Sequence, residues 1–415
     1  MYLLIILSII SFIGFLRYRA PYNPITIFNG IWLLVFVLYF SGLANYANGL
    51  SNRGYVTFLL MIIGFNGAFL YLALIFRTIQ KKTKFKRKNK KLSANGIKLI
   101  FKVWLVLIIF EAVYSRGVPI LWVIIGSSKN YAQFGIPTLH GFVNSLSWVV
   151  LIFAFYVYLD INVKKSVKKS MIRIILTIIS VYVILLARQA LTTAFIQMMM
   201  VYLLTRKVNY AKVLWSIAIS IIFFGIAGNF RSGADHFRSV ARLTSEVPDY
   251  LLGLYWVLMY IVTPIGNMDS LVNYSIIYNY GKLSLTEVLP SVLVDMMKIK
   301  IDSFTEYFLN PAFNTSTFLQ VPYRDFGLLG VLVFSALYGT MAYVFWQGYR
   351  NSNKSAESVL LYAVISQIIL MSFFVNMLLM LPIIIQFIYI KIFFKIDIFV
   401  KAETYEIENK LMQER

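Results

Sequence analysis

The sequence predicts an all-α polytopic membrane protein, and composition is the main reason. Of the 415 residues, 60% are hydrophobic and only 13% are charged, and the mean hydropathy is +0.74. A water-soluble domain has about a quarter of its residues charged, so a soluble enzyme and a disordered chain are both excluded. Aromatic residues reach 17%, which is typical of side chains at a membrane–water boundary.

Apolar segments divide the chain into about eleven predicted transmembrane helices. A helix needs about 20 apolar residues to cross the hydrocarbon core of a bilayer. The predicted spans lie near residues 2–16, 25–43, 55–77, 97–115, 141–160, 171–187, 189–205, 213–230, 325–348, 358–375 and 377–394. Two apolar runs, 171–204 and 359–390, are too long for one helix, so each is predicted to form a hairpin of two spans.

Clusters of Lys and Arg orient these spans. The basic runs at 81–88 and 164–169 are assigned to the cytoplasmic side, because cytoplasmic loops are enriched in positive residues. Alternation along the chain then places the amino terminus outside and the tail from Lys391 onward inside. Nearly all of the formal net charge of +22 falls on the cytoplasmic side, so this charge does not indicate a nucleic-acid partner.

Arginine outnumbers lysine among the basic residues predicted to lie outside. Its planar guanidinium matches carboxylate and phosphate oxygens at two points, so these residues are candidates for binding an anionic substrate. The alternative is that each one contacts lipid headgroup phosphates at a helix end. The external arginines are Arg53, Arg116, Arg188, Arg231, Arg238, Arg242 and Arg324.

One large external loop interrupts the pattern of spans. The predicted regions are an N-terminal bundle of about eight spans (1–230), the external loop (231–324), the C-terminal spans (325–394) and a cytoplasmic tail (395–415). Within the loop, the apolar stretch 250–262 is expected to form a short interfacial or re-entrant helix that ends before Pro264. The chain has no cysteine and only two histidines, so no metal centre and no cofactor are expected.

Three short stretches, together with this architecture, resemble a known family. They are 22–28 (Tyr-Asn-Pro-Ile-Thr-Ile-Phe), 314–318 (Asn-Thr-Ser-Thr-Phe) and 323–330 (Tyr-Arg-Asp-Phe-Gly-Leu-Leu-Gly). Arg188, at the tip of the first hairpin, is similar to a recurrent external Arg of that family. The chain thus resembles the O-antigen and capsular polysaccharide polymerases (Wzy type, oligosaccharide repeat-unit polymerases).

The resemblance implies a metal-independent glycosyltransferase with a GT-C membrane fold of the O-antigen polymerase/ligase type. Such an enzyme joins undecaprenyl-pyrophosphate-linked oligosaccharide repeat units on the outer face of the bacterial cytoplasmic membrane. By position, Arg188, Arg231 and Arg324 are implied to hold the pyrophosphate, with Arg238 as a weaker match. The implied partners are the lipid-linked oligosaccharides, membrane lipids and a chain-length regulator protein.

The acceptor hydroxyl loses a proton as it attacks, so a base is expected near the pyrophosphate. The candidates are His236, Asp325 and Glu287, and His236 is preferred because histidine titrates near neutral pH. The structural alternatives are that His236 is a solvated loop residue and that Asp325 pairs with Arg324 or caps the following helix near its amino end.

Two further polar residues lie near predicted membrane ends. Glu111 falls inside a span, and a carboxylate facing lipid is costly. It is therefore expected to face a polar cavity or to be hydrogen-bonded between helices. His140 begins a span and is expected to be an interface residue.

Two other functions remain open on the sequence. A ligase that passes the finished glycan to a lipid or protein acceptor would use a similar fold and similar arginines. A flippase or transporter of the lipid-linked oligosaccharide belongs to a different class. Transporters tend to show repeated halves and charges near the middle of the membrane, and the sequence shows neither pattern.

Overall fold

The chain is an all-α membrane protein in the computed structural model. The structure describes residues 2–46, 49–79, 90–129, 131–207, 209, 211, 213–215, 218–219, 221–222, 233–243, 248, 251–274, 276–301, 304–352 and 354–402. Most of the predicted span 213–230 lies outside these residues, and so does Arg231.

Helices follow one another along most of the described chain. The α-helices are α1 (Tyr2–Tyr18), α2 (Pro24–Phe40), α3 (Asn52–Ile79), α4 (Ala94–Tyr114), α5 (Pro119–Ile124), α6 (Leu139–Leu159), α7 (Lys165–Ile184), α8 (Arg188–Thr205), α9 (Ala234–Ala241), α10 (Leu252–Asn273), α11 (Lys282–Val288), α12 (Ser291–Met296), α13 (Gln320–Asn351), α14 (Ala356–Leu370) and α15 (Leu381–Phe393). Short 3-10 helices occur at Tyr131–Gln133, Pro311–Phe313 and Met377–Leu379. Two three-residue strands, β1 (Lys90–Leu92) and β2 (Val400–Ala402), pair antiparallel.

Three helices of the described chain are long and apolar enough to cross a membrane, namely Asn52–Phe76 within α3, α6 and α13. Helices α1, α2, α14 and α15 are shorter and also apolar. By contrast, α4 carries Lys98, Lys102 and Glu111, which makes it more polar than a typical lipid-facing span. The prediction of an all-α membrane protein is confirmed, and the number of eleven spans stays a prediction.

Helices α3 and α13 lie side by side in the bundle with their backbones close together. A Cβ atom at Gly64 would lie 2.7 Å from the Leu332 carbonyl oxygen, and one at Gly339 would overlap the Phe65 carbonyl. Small residues allow this approach, and close packing stabilises helix pairs in membranes. The contacts advance in the same direction along both helices, so α3 and α13 begin at the same end.

Helices α6 and α8 begin at that end as well. The Tyr349 hydroxyl, near the end of α13, donates to the Leu204 carbonyl near the end of α8 (3.2 Å), so these two helices are parallel. The Trp148 indole of α6 donates to the Ala190 carbonyl in the first turn of α8 (3.3 Å), and the starts of α6 and α8 both contact the turn at 380–382 through Gly141 and Gln189. We call this end of the bundle the mouth and define it by the first turns of α3, α6, α8 and α13.

Helix α10 lies across the mouth. Near its start, Trp256 contacts Arg188, the first residue of α8. Near its end, the Asp269 carboxylate accepts hydrogen bonds from the Ser51 N–H (3.0 Å) and the Ser51 hydroxyl (2.7 Å), directly before α3. The two ends of α10 therefore contact the beginnings of two different bundle helices, as an interfacial helix would.

The predicted end of this helix before Pro264 is wrong, because α10 continues through Pro264 to Asn273. Proline removes one backbone N–H and crowds the preceding turn of a helix. Residues 262–268 are nevertheless all buried, and α10 packs against α2 and α3. This tertiary packing outweighs the local preference of proline, a contribution that the apolar pattern of the sequence does not contain.

A fully buried amide, that of Asn267, fixes the external loop onto α10. Its Nδ2 donates to the carbonyls of Phe313 and Thr315, both at 2.7 Å, and its Oδ1 accepts from the Leu309 N–H at 2.9 Å. Burying an amide is costly unless its donors and acceptor are satisfied. These three bonds therefore determine how residues 309–315 lie on the helix.

We predict that Gly339→Ala lowers the thermal stability of the purified protein, because the added methyl group forces α3 and α13 apart. Such overpacking typically costs about 1–3 kcal/mol. The matched control is Gly348→Ala on the same helix, where a Cβ meets no atom within 4 Å. We expect the control to be neutral or stabilising, because alanine favours the helix. Thermal unfolding in detergent measures both, and equal behaviour of the two variants would contradict the close approach.

Candidate anion-binding sites at the mouth

Arg188 lies at the first position of α8, facing the mouth end of the bundle. Leu186, with φ of 55°, makes the tight turn between α7 and α8 that places Arg188 there. The amino terminus of a helix carries partial positive charge, which adds to the charge of the guanidinium. The half-buried Arg188 side chain places its guanidinium carbon 5.8 Å from the centroid of the Trp256 ring, within the range of a cation–π contact.

Helix α9 is packed beside this contact. The Phe237 ring is fully buried and stacks on Trp256, with ring centroids 4.1 Å apart. On the same short helix, Arg238 is half-buried and His236 is exposed. The stack therefore brings α9, with one predicted arginine and the preferred base, to the region of Arg188.

Arg324 lies in the second turn of α13 and is buried, with 7% of its surface exposed. It hydrogen-bonds Tyr307 of the external loop, and the Gln320 side-chain amide donates to the same hydroxyl. Burial raises the pKa of Tyr307 to about 12, although the charge of Arg324 lowers it. Tyr307 therefore stays neutral and supplies a hydroxyl beside the guanidinium.

Asp325 caps the amino terminus of α11. Its carboxylate is fully buried and accepts hydrogen bonds from the Leu283 N–H (3.1 Å), the Ser284 N–H (2.8 Å) and the Ser284 hydroxyl (2.5 Å). A negative charge at a helix amino terminus is stabilising. Because these donors already occupy both carboxylate oxygens, the contacts favour a capping role over a role as base, although the capped helix is the preceding α11 and not the helix that follows.

Glu287, the third predicted base, lies in the last turn of α11 and is exposed. Partial burial of its carboxyl group raises the pKa of that group. Helix α11 packs against α15 and the turn at Met377–Leu379. Glu287 therefore lies on a helix of the external loop that packs against α15.

The structure separates the predicted arginines into two groups. Arg188 contacts Trp256 near the start of α10, whereas the Tyr323 hydroxyl, next to Arg324, donates to the Val272 carbonyl near the end of α10 (3.3 Å). Trp256 and Val272 are sixteen residues apart on α10, which corresponds to roughly 24 Å along a helix. The expectation that all these arginines meet at a single diphosphate therefore does not fit Arg188 and Arg324.

Several residues beside the candidate sites could not be identified from the sequence. Trp256 and Tyr307 lie 68 and 17 positions from the arginines that they contact, and nothing in their sequence surroundings marks them. The Glu111 carboxylate lies 2.9 Å from Nδ1 of His140, whereas Glu111 was expected to face a polar cavity or to be hydrogen-bonded between helices and His140 to be an interface residue. Among the described residues, no group of three His, Cys, Asp or Glu side chains lies close enough to hold a metal ion.

Comparison with known proteins adds no family to these observations. No protein-family model, curated protein or solved structure matches the chain. The residues at the mouth are therefore the basis for a functional proposal.

We predict that Asp325→Ala loosens α11, because it removes the acceptor of three hydrogen bonds. Loss of a helix cap costs about 0.5–2 kcal/mol. Asp325→Asn keeps one acceptor oxygen and is expected to lose about half as much. Hydrogen exchange of residues 276–288 measures the effect, with faster exchange in the Ala variant. Unchanged hydrogen exchange in both variants would contradict the capping role of Asp325.

Proposed function

We propose that the protein is a polysaccharide polymerase, a membrane glycosyltransferase that joins oligosaccharide repeat units carried on undecaprenyl pyrophosphate. The observation that carries the proposal is the position of Arg188 and Arg324, each in the first two turns of a helix at one end of an apolar bundle. Helix amino termini and guanidinium groups both favour an anion. A lipid diphosphate presents such an anion at the surface of a membrane.

Arg188 is the residue best suited to the leaving group. When the anomeric carbon of the donor is attacked, negative charge moves onto the phosphate oxygens of the departing lipid diphosphate. A fixed positive charge at this place stabilises the transition state more than the ground state, which accelerates the reaction. Packing on Trp256 holds the guanidinium in place before the substrate arrives. Such a site needs no divalent cation.

The Arg324 site supports the use of two lipid-linked substrates. Polymerisation requires a donor chain and a new repeat unit, and each carries its own diphosphate. Two separate arginine sites, one at each end of α10, match this number. Arg324 and the neutral Tyr307 hydroxyl beside it provide a charged donor and a neutral donor for the second diphosphate.

In this proposal the mouth faces outward from the bacterial cytoplasmic membrane, with the amino terminus outside and the carboxy terminus in the cytoplasm. The bundle follows the GT-C plan with about eleven spans, and α10 supports the sites at the lipid surface. His236 and Glu287 stay candidates for the base on the basis of their positions. A chain-length regulator protein is the proposed protein partner.

Purified protein tests the proposal most simply. On this proposal, lipid-linked repeat units are expected to accumulate in a strain of the source organism that lacks this gene, and they can be isolated and mixed with the protein in detergent. A ladder of polymer on the lipid, formed without a membrane compartment and in the presence of a chelator, is the expected result. A flippase would form no ladder, and a ligase would move glycan to a different acceptor.

We predict that Arg188→Ala lowers polymer formation by at least about 100-fold, the usual effect of removing a donor to a developing anion. Arg188→Lys is expected to be intermediate, because lysine keeps the charge and loses the two-point contact. The matched control is Arg350→Ala, since Arg350 also packs on an aromatic ring, 5.9 Å from the Trp346 centroid, at the opposite end of α13. Normal polymer length with Arg188→Ala would reject the assignment.

A further inference from the structure

A carboxylate–histidine pair lies at the mouth, outside the residues described so far as anion sites. Glu111, near the end of α4, is fully buried, and its Oε2 lies 2.9 Å from Nδ1 of His140, the second residue of α6. The Ile136 backbone N–H approaches the other carboxylate oxygen at 3.4 Å. With Glu111 ionised, both of its oxygens accept these contacts, and the proton of a neutral His140 lies on Nδ1.

The other ring nitrogen of His140 faces hydrogen-bond donors. Nε2 lies 2.9 Å from the Asn144 amide nitrogen and 3.5 Å from the Tyr131 hydroxyl. Burial raises the pKa of Tyr131, and the charge of Glu111 raises it further, although the bond to Asn144 lowers it. Tyr131 thus keeps its proton. With Nδ1 protonated, Nε2 is unprotonated, and its lone pair accepts from these donors.

The position of the pair places it next to the Arg188 site. Gly141, the residue after His140, packs against the first turn of α15. The side-chain amide of Gln189, the residue after Arg188, approaches a methionine sulfur directly before the same turn at 3.5 Å. The turn at 380–382 therefore lies between His140 and Arg188, and both residues border one region of the mouth.

His140 is also accessible from that region. Its side chain is 19% exposed, whereas that of Glu111 is fully buried. The Thr138 hydroxyl, two residues before His140, lies 2.8 Å from the Ser291 hydroxyl of α12. The external loop thus borders the entrance to His140, and Glu111 stays shielded from water behind it.

We propose that His140 is the general base of the polymerisation reaction and that Glu111 is its positioning residue. This inference rests on the proposed function. The acceptor sugar hydroxyl replaces a donor at Nε2 and gives its proton to this nitrogen as its oxygen bonds to the anomeric carbon of the donor. The bond from that carbon to the phosphate oxygen breaks, and its electron pair leaves on the lipid diphosphate. Glu111 stabilises the resulting imidazolium until its proton passes to water.

This arrangement meets the requirements of a base better than the exposed His236. A buried carboxylate orients the ring of His140 and selects its tautomer, as acidic partners do for catalytic histidines in general. His236 lies on the exposed side of α9, and no described carboxylate is hydrogen-bonded to its ring. The two candidate bases can therefore be distinguished by mutation, because only substitution of the true base is expected to lower the polymerisation rate strongly.

The experiment measures initial polymerisation rates of the full-length protein in detergent, with the isolated lipid-linked repeat units and with rates normalised to the monodisperse protein. His140→Gln is expected to lower kcat by about 10²–10⁴-fold, the usual contribution of a general base, with little change in KM. Glu111→Gln is expected to lower kcat at least about tenfold, because a neutral amide stabilises the imidazolium less. Glu357→Gln, which removes a carboxylate paired with Lys391, is the matched control and should be unchanged.

Chemical rescue separates a base from a structural residue. His140→Ala should regain rate when imidazole is added, because free imidazole supplies the missing base, whereas Arg188→Ala should not. A wild-type rate in His140→Gln, or a loss of rate confined to His236→Gln, overturns the assignment and leaves the polymerase proposal intact if Arg188→Ala stays inactive. Absence of polymer from the wild-type protein overturns the polymerase proposal, and the assignment with it.

Discussion

The contact of the Arg188 guanidinium with the Trp256 ring is the interaction on which the mouth depends. It joins the first turn of α8 to the start of α10, and the stack of Phe237 on the same Trp256 ring adds α9. A cation–π contact contributes only about 0.5–2 kcal/mol, so its importance is positional. It holds a positive charge at the place where a helix amino terminus already favours an anion.

Helix α10 sets the distance between the two arginine sites. Its far end is fixed by Asp269 on the segment before α3 and by Asn267 under the loop 309–315. Because these two polar side chains are hydrogen-bonded, neither adds the cost of an unpaired polar group to the packing of α10 at the mouth. A single helix thus contacts the surroundings of both sites, and the Glu111–His140 pair borders the region next to one of them.

The sequence predicted the helical membrane class, the turn that carries Arg188 and a helix in the stretch 250–262, because apolar length and charge are local properties. It missed the passage of α10 through Pro264, since that depends on burial against other helices. It offered helix capping as an alternative for Asp325 but did not identify α11 as the capped helix, and it missed the pairing of Glu111 with His140. These contacts join residues 29 or more positions apart, and a single sequence does not record such distances.

Direct binding tests the central claim most simply, because it does not depend on turnover. The affinity of the purified protein for undecaprenyl pyrophosphate can be measured in detergent against undecaprenyl monophosphate, with the wild type and the Arg188→Ala variant compared. The account predicts that the wild type prefers the diphosphate and that the variant loses at least about tenfold in affinity, since one charge-assisted contact contributes about 1.5–3 kcal/mol. Equal affinity of both proteins for the diphosphate, with unchanged stability, would contradict it.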